Sequence, residues 1–257
     1  IDPYDPNFVP KKRTALGRAK HEGATPALAA DGRLVIYTGD DQQNEYLYKF
    51  VSRRPMVPGD IEANRDLLDD GVLYAARFAE DYSVRWLPLV FGAAPLDSAH
   101  GFASQADVLI ETRRAADALG ATPLDRPEDV EENPVTGRVY MTLTNNTKRK
   151  AGKTDRANPR PENRHGHILE LVPPEAGGLP DHGALEHAWD VFLLAGDPRA
   201  GVGARYPNPP SEHGWLSCPD NLTFDPAGNI WIATDGQYEL GFADSLYAAE
   251  VSGRRRG

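Results

Sequence analysis

The 257-residue chain contains one cysteine, Cys218, so no internal disulfide can form. It has no run long and apolar enough to cross a bilayer as a helix. No leader-like segment precedes it, and it starts at Ile1 instead of a methionine. It ends at Arg254-Arg255-Arg256-Gly257, straight after a strand-like run. Both ends read as cuts, compatible with a leader lost upstream. The terminal arginines read as a solvated loop. Positive charge is in deficit, with 28 basic against 38 acidic residues and a net charge of −10. That disfavours a nucleic-acid or anionic-membrane surface. A small phosphate-bearing ligand is not excluded, because local arginines and bound cations reverse the sign at a site. No Ser-His-Asp arrangement is evident.

What is present is an ordinary globular composition, with 26% charged and 40% hydrophobic residues. Short runs alternate large apolar and polar residues between Gly, Pro, Asn and Asp turns, which predicts strands. These cover 33–38, 46–51, 71–78, 84–91, 138–144, 165–171, 185–195, 222–224, 230–234 and 246–251. One helix is expected near 105–119, capped by Ser104 with Asp107 three residues on and stopped by Gly120. The expected class is all-β, as one domain over 1–257.

The strands hide a repeat. Three times a carboxylate precedes a turn glycine and a second strand: Glu22 before Asp31-Gly32, Glu128 before Asn133-Pro134-Val135-Thr136-Gly137, and Asp220 before Asp225-Pro226-Ala227-Gly228. The acids lie 10, 9 and 8 residues ahead of their glycines. Each therefore sits at or just before the first strand of a hairpin. Radially arranged hairpins would bring Glu22, Glu128 and Asp220 together at the axis. Converging carboxylates repel unless a cation holds them, and hard oxygen donors suit calcium or magnesium. Radial repetition favours a β-propeller over a sandwich. The turn glycines are 105 and 91 residues apart. A blade takes about 40–50 residues, so each interval is two blades or one with a long insertion, and the ring is incomplete.

Arg126, two residues before Glu128, offers a bidentate fork to phosphate oxygens. If both lie on one strand they share a face. The alternative for Arg126 is a structural pair with Glu128. Lys148, Arg149, Arg160 and Arg164 form either an anion-attracting mouth or a solvated basic loop. His165 and His167 share a face, and hydrogen-bonded structural roles are expected for both. His21 is expected to point away from the Glu22 face. Asp40 and Asp41 follow a strand end; one of them reaching a cation is the alternative, and a turn role is expected. Tyr37, Tyr140 and Trp231 recur after the three turns and read as core aromatics.

Several blocks in combination resemble the PhoX family of secreted bacterial alkaline phosphatases. They include Lys12 to Arg18, His21-Glu22-Gly23-Ala24, Thr38 to Asp41, Ala116 to Pro123 running into Arg126-Pro127-Glu128-Asp129, Asn158-Pro159-Arg160, Pro219-Asp220-Asn221 and Thr234-Asp235-Gly236. The resemblance implies a six-bladed propeller with calcium and iron (Ca²⁺, Fe³⁺) at its axis. It implies hydrolysis of phosphate monoesters in the periplasm or outside the cell, after export by a twin-arginine leader. It also implies that Glu22, Glu128 and Asp220 are metal ligands and that Arg126 binds phosphate; Arg126 and Glu128 are the expected catalytic residues. The family's N-terminal motif with an iron-ligating cysteine has no counterpart here, since Cys218 sits in a different block. The chain is thus expected to be a central fragment.

The expected partner is a small phosphomonoester, with no nucleic acid and no membrane, and the chain is expected to be a monomer. A calcium-dependent lactonase or esterase propeller is the alternative, because residues 219–232 also resemble gluconolactonase-type repeats. A non-catalytic binding propeller is a third.

Overall fold

A computed structural model of the chain describes residues 4–207 and 210–251. The arginine run at 254–256 lies outside them. The alternating runs form β1 (His21–Leu28), β2 (Arg33–Asp40), β3 (Leu47–Pro55), β4 (Gly71–Phe78) and β5 (Ser83–Pro88). After the helices come β6 (Pro127–Glu132), β7 (Val139–Leu143), β8 (His167–Val172), the short pair β9 (Glu175–Ala176) and β10 (Leu179–Pro180), and β11 (Glu186–Leu194). The chain continues with β12 (Pro219–Phe224), β13 (Ile230–Thr234) and β14 (Leu246–Ala249). All pairings are antiparallel.

Nine strands make one sheet, in the order β1-β2-β3-β4-β5-β11-β8-β7-β6, and β12-β13-β14 make another. The long sheet curls until its edge strands β1 and β6 meet. There Thr25 donates its hydroxyl to the Val130 carbonyl. Gly39 permits this approach: a Cβ at that position would lie 2.2 Å from the Glu128 carbonyl oxygen and 2.5 Å from that of Pro127. On the other side of β6, Asp129 Oδ2 accepts a hydrogen bond from Leu222 N of β12 at 3.0 Å. The innermost strands β1, β6 and β12 therefore stand side by side, as in a propeller. Each sequence interval between the acids holds one radial unit with insertions, not two blades.

The units bury both faces of their strands. Val35, Tyr37 and Val51 of the first unit pack with Val130, Met141 and Leu169 of the second. Tyr140, Ile168 and Phe192 of the second pack with Leu222, Ile230 and Ile232 of the third. Burying each such side chain contributes roughly 1.5–3 kcal/mol, so the interfaces between units are a principal source of stability.

Three details differ from the sequence expectations. The helix is two helices, α2 (Gln105–Ile110) and α3 (Thr112–Leu119), preceded by a short α1 (Ile61–Asn64). Both expected caps are present: Ser104 accepts from Asp107 N, and Gly120 is left-handed. The break occurs because the Leu109 carbonyl is taken by the Thr112 hydroxyl at 2.6 Å and by Arg18 N at 2.9 Å. Trp231 is 39% exposed, whereas Tyr37 and Tyr140 are fully buried. On β13 the core is filled by Ile230 and Ile232, and period-two alternation turns Trp231 outward.

Candidate functional site

Glu22, Glu128 and Asp220 occupy the same place in three strands, each the second residue of β1, β6 or β12. Each strand also slips register just there, between Glu22 and Thr25, Pro127 and Val130, and Pro219 and Leu222. Such bulges bend a strand and re-aim its side chains. Thr142 of β7 and Thr144 just beyond it fix the third acid relative to the second: Thr142 donates to the Asp220 carbonyl, and Thr144 donates to Pro219 O at 2.9 Å.

The acids influence one another. Burial, then a hydrogen bond with Asp41 and the Asp220 charge, pushes the Glu128 pKa up to about 9 against the pull of Arg126. Asp220 is pushed up to about 6 by burial, then by Asp235, with Glu22 and Asp41 adding to the effect. Asn221 Nδ2 points at Glu22 Oε1 from 3.4 Å. Among the described residues, however, no group of three His, Cys, Asp or Glu side chains is gathered closely enough to hold a metal ion. The acids meet at one end of the inner strands without closing into a ligand cage.

Arg126 precedes β6 instead of lying in it, with a left-handed φ of 56°. Its Nε donates to Asp41 Oδ1 at 2.8 Å, and its terminal nitrogen lies 2.6 Å from Glu128 Oε1. That Glu128 oxygen is buried and receives no directed hydrogen bond. Burial opposes the Arg126 charge, but Glu128 and Asp41 outweigh it and its pKa is raised. Arg126 and Asp41 open onto a polar cavity of about 470 Å³, whose lining also includes Lys20, Arg164, Cys218 and Asp235.

Asp41 and Asp235 belong to this neighbourhood, although the sequence offers a cation role to Asp41 only as the lesser alternative and gives Asp235 none. Asp41 reads locally as a turn residue, and so does Asp40, yet Asp40 ends β2 with its buried carboxylate paired to Arg113 at 2.6 Å. The basic loop divides. Arg149 is buried on Asp125 at 2.5 Å, and Arg160 donates to Ala195 O at 2.6 Å, so both brace the fold. Exposed Arg164 lines the cavity, and Lys148 is exposed. His165 pairs with Ser217 at 2.9 Å, and buried His167 bonds Asn163 and Ala157 O. His21 bonds Thr38 and the Gly17 carbonyl.

An all-β radial protein with acids at the heads of its inner strands and an arginine over a polar cavity is the class defined here. The family model "Alkaline phosphatase PhoX" matches residues 1–254, and the chain belongs to the PhoX alkaline phosphatase family. A solved structure, described as Pseudomonas fluorescens PhoX in complex with vanadate, a transition state analogue, is 41% identical, with a TM-score of 0.90. The match covers 100% of this chain and 47% of that one, so this chain spans about half the length of that relative. No curated protein matches the chain.

Proposed function

We propose that the chain carries the axial half-site of a metal-dependent phosphomonoester hydrolase, exported from the cytoplasm as the family resemblance implies. The observation that carries this reading is Arg126, fixed between Asp41 and Glu128 at the wall of the polar cavity. A guanidinium so placed offers a fork to phosphoryl oxygens and stabilises charge as the P–O bond breaks. Asp41 orients it. The vanadate-bound state of the P. fluorescens relative supports the same chemistry by likeness.

The donor set suits a hard divalent cation. Glu128 keeps a buried oxygen without a directed hydrogen bond, and burial together with acidic neighbours raises the pKa values of Glu128 and Asp220. Glu22, Glu128 and Asp220 would hold calcium only after moving closer together than they stand here, with Glu128 giving up its proton as they did so. When bound, the cation neutralises the phosphoryl oxygens and acidifies water. Iron fits less well. The thiol of Cys218, its pKa raised by burial, points to the Arg164 carbonyl at 3.4 Å. No step is assigned to it.

The test uses the full-length protein and a chromogenic phosphomonoester. Activity should fall on chelation and return with calcium, and inorganic phosphate should inhibit competitively. A lactonase of the alternative kind would show neither activity on the ester nor phosphate inhibition. Wild-type turnover by the Arg126→Ala variant would refute the role given to Arg126.

A further inference from the structure

Lys20 borders two cavities. It lines the polar cavity beside Arg126, and it lines a second groove of about 330 Å³. That groove lies between residues 18–20 and the break of α2 from α3. Arg18, Arg113 and Arg114 join Lys20 on its lining, against a single acid, Glu111. In a chain of net charge −10, four cations to one carboxylate reverse the sign locally.

Backbone bonds fix the ridge that carries Arg18 and Lys20. Arg18 N donates to the Leu109 carbonyl at 2.9 Å and to the Thr112 hydroxyl at 3.0 Å. Lys20 N donates to Asp40 Oδ1 at 3.0 Å, and Lys20 O accepts from Asp41 N at 3.1 Å. Asp41, which holds the Arg126 guanidinium, therefore also ties down the ridge. Two of the four cations have acids of their own. Arg113 pairs with buried Asp40 at 2.6 Å and with Glu45 at 3.5 Å, and Arg114 pairs with Glu111 at 3.6 Å. Arg18 and Lys20 are exposed. Among the described residues neither has a carboxylate within ion-pair distance, and Lys20 Nζ donates only to the neutral amide of Gln42, at 2.6 Å. A guanidinium and an ammonium free to bind an anion thus lead away from the polar cavity.

We propose, on the phosphoester reading above, that the site prefers phosphomonoesters whose alcohol carries a second phosphate. The first phosphoryl group meets Arg126, and the second lies over Lys20 and Arg18 in the groove. Contacts so far from the breaking bond act alike on bound substrate and transition state, so they lower KM and leave kcat nearly as it is. Being exposed, they weaken with salt.

Phosphate release by the full-length protein tests this with hexyl phosphate and 1,6-hexanediol bisphosphate, one hydrocarbon body with and without the second charge. At low ionic strength the bisphosphate should show a KM lower by about 5-fold or more, beyond what its two equivalent ends account for, and high salt should erase the difference. Arg18→Glu should abolish the preference while turnover of hexyl phosphate stays nearly as it was. Equal KM for the two esters, or a preference that survives Arg18→Glu, would overturn this substrate class and leave the hydrolase reading standing. Release of phosphate from neither ester would overturn both.

Discussion

Arg126 and Glu128 stand 2.6 Å apart, the arginine left-handed before β6 and the glutamate buried within it. The ion pair is therefore made by a backbone reversal, not by two residues sharing a strand face. The reversal brings the guanidinium within reach of Asp41, 85 residues away in sequence. Cavity, arginine and acids are tied together at this point.

That relationship makes Arg126 sensitive to substitution. In the full-length enzyme, Arg126→Lys should lower kcat/KM for a phosphomonoester about 100-fold or more, because a lysine cannot reproduce the fork. Asp41→Asn keeps a hydrogen-bonding group but removes the orienting charge, and should cost less, about 10-fold. Steady-state kinetics on both variants check the order.

Calcium should stabilise the chain, and more so at high pH. The Glu128 pKa is raised to about 9, so below that value a proton competes with the cation. At a calcium concentration 100 times its Kd, the gain is about 2.7 kcal/mol. Thermal melts with and without calcium should show an increment that grows from pH 7 to pH 9. Glu128→Gln should remove the increment at both pH values.

Lys49 gives a second pH signature in the same direction, independent of calcium. Burial pulls its pKa down to about 6, from an ordinary 10.5. Between those values the unfolded chain binds the extra proton, so this group makes stability rise with pH from about 6 to about 10.5. In melts across that window, Lys49→Met should show a flatter slope than the parent. An unchanged slope would mean that Lys49 keeps its charge in the fold.

The third radial unit hangs partly on Asn133. This fully buried side chain donates to Gly228 O at 3.0 Å and accepts from Val135 N at 2.9 Å. Asn133→Ala leaves the Gly228 carbonyl without its donor, a loss of about 1–3 kcal/mol. Denaturant titration measures that loss. Hydrogen exchange in β13 should accelerate more than in β3.

Gly39→Ala should be far more damaging than its size suggests. The added methyl would meet two β6 backbone oxygens at 2.2 and 2.5 Å, neither able to move aside. The closure of β1 on β6 should be lost, with a large fall in melting temperature.

Much of this was legible in the sequence because turns are local. Gly32, Gly137 and Gly228 have positive φ at the expected bends, and the three acids share a register as the repeat implied. The site's remaining parts come from distant pairings that leave no local trace. Asp41 follows an ordinary strand end, and only the fold puts it beside Arg126. Arg149 and Arg160 sit in a polar stretch that reads as a loop, yet Asp125 and the Ala195 carbonyl draw them inside. Trp231 matches its counterparts in spacing but not in depth, because the isoleucines on either side fill the third unit's core.

The bulge at the head of each inner strand separates two tasks within six to eight residues. Upstream of it the chain aims an acid; downstream it presents Thr25, Val130 or Leu222 to the neighbouring unit. Material spliced into the outer loops leaves both settings untouched. That is how units of such unequal length place their carboxylates at the same end of the inner strands, and why the natural diversity of this architecture should accumulate at its periphery.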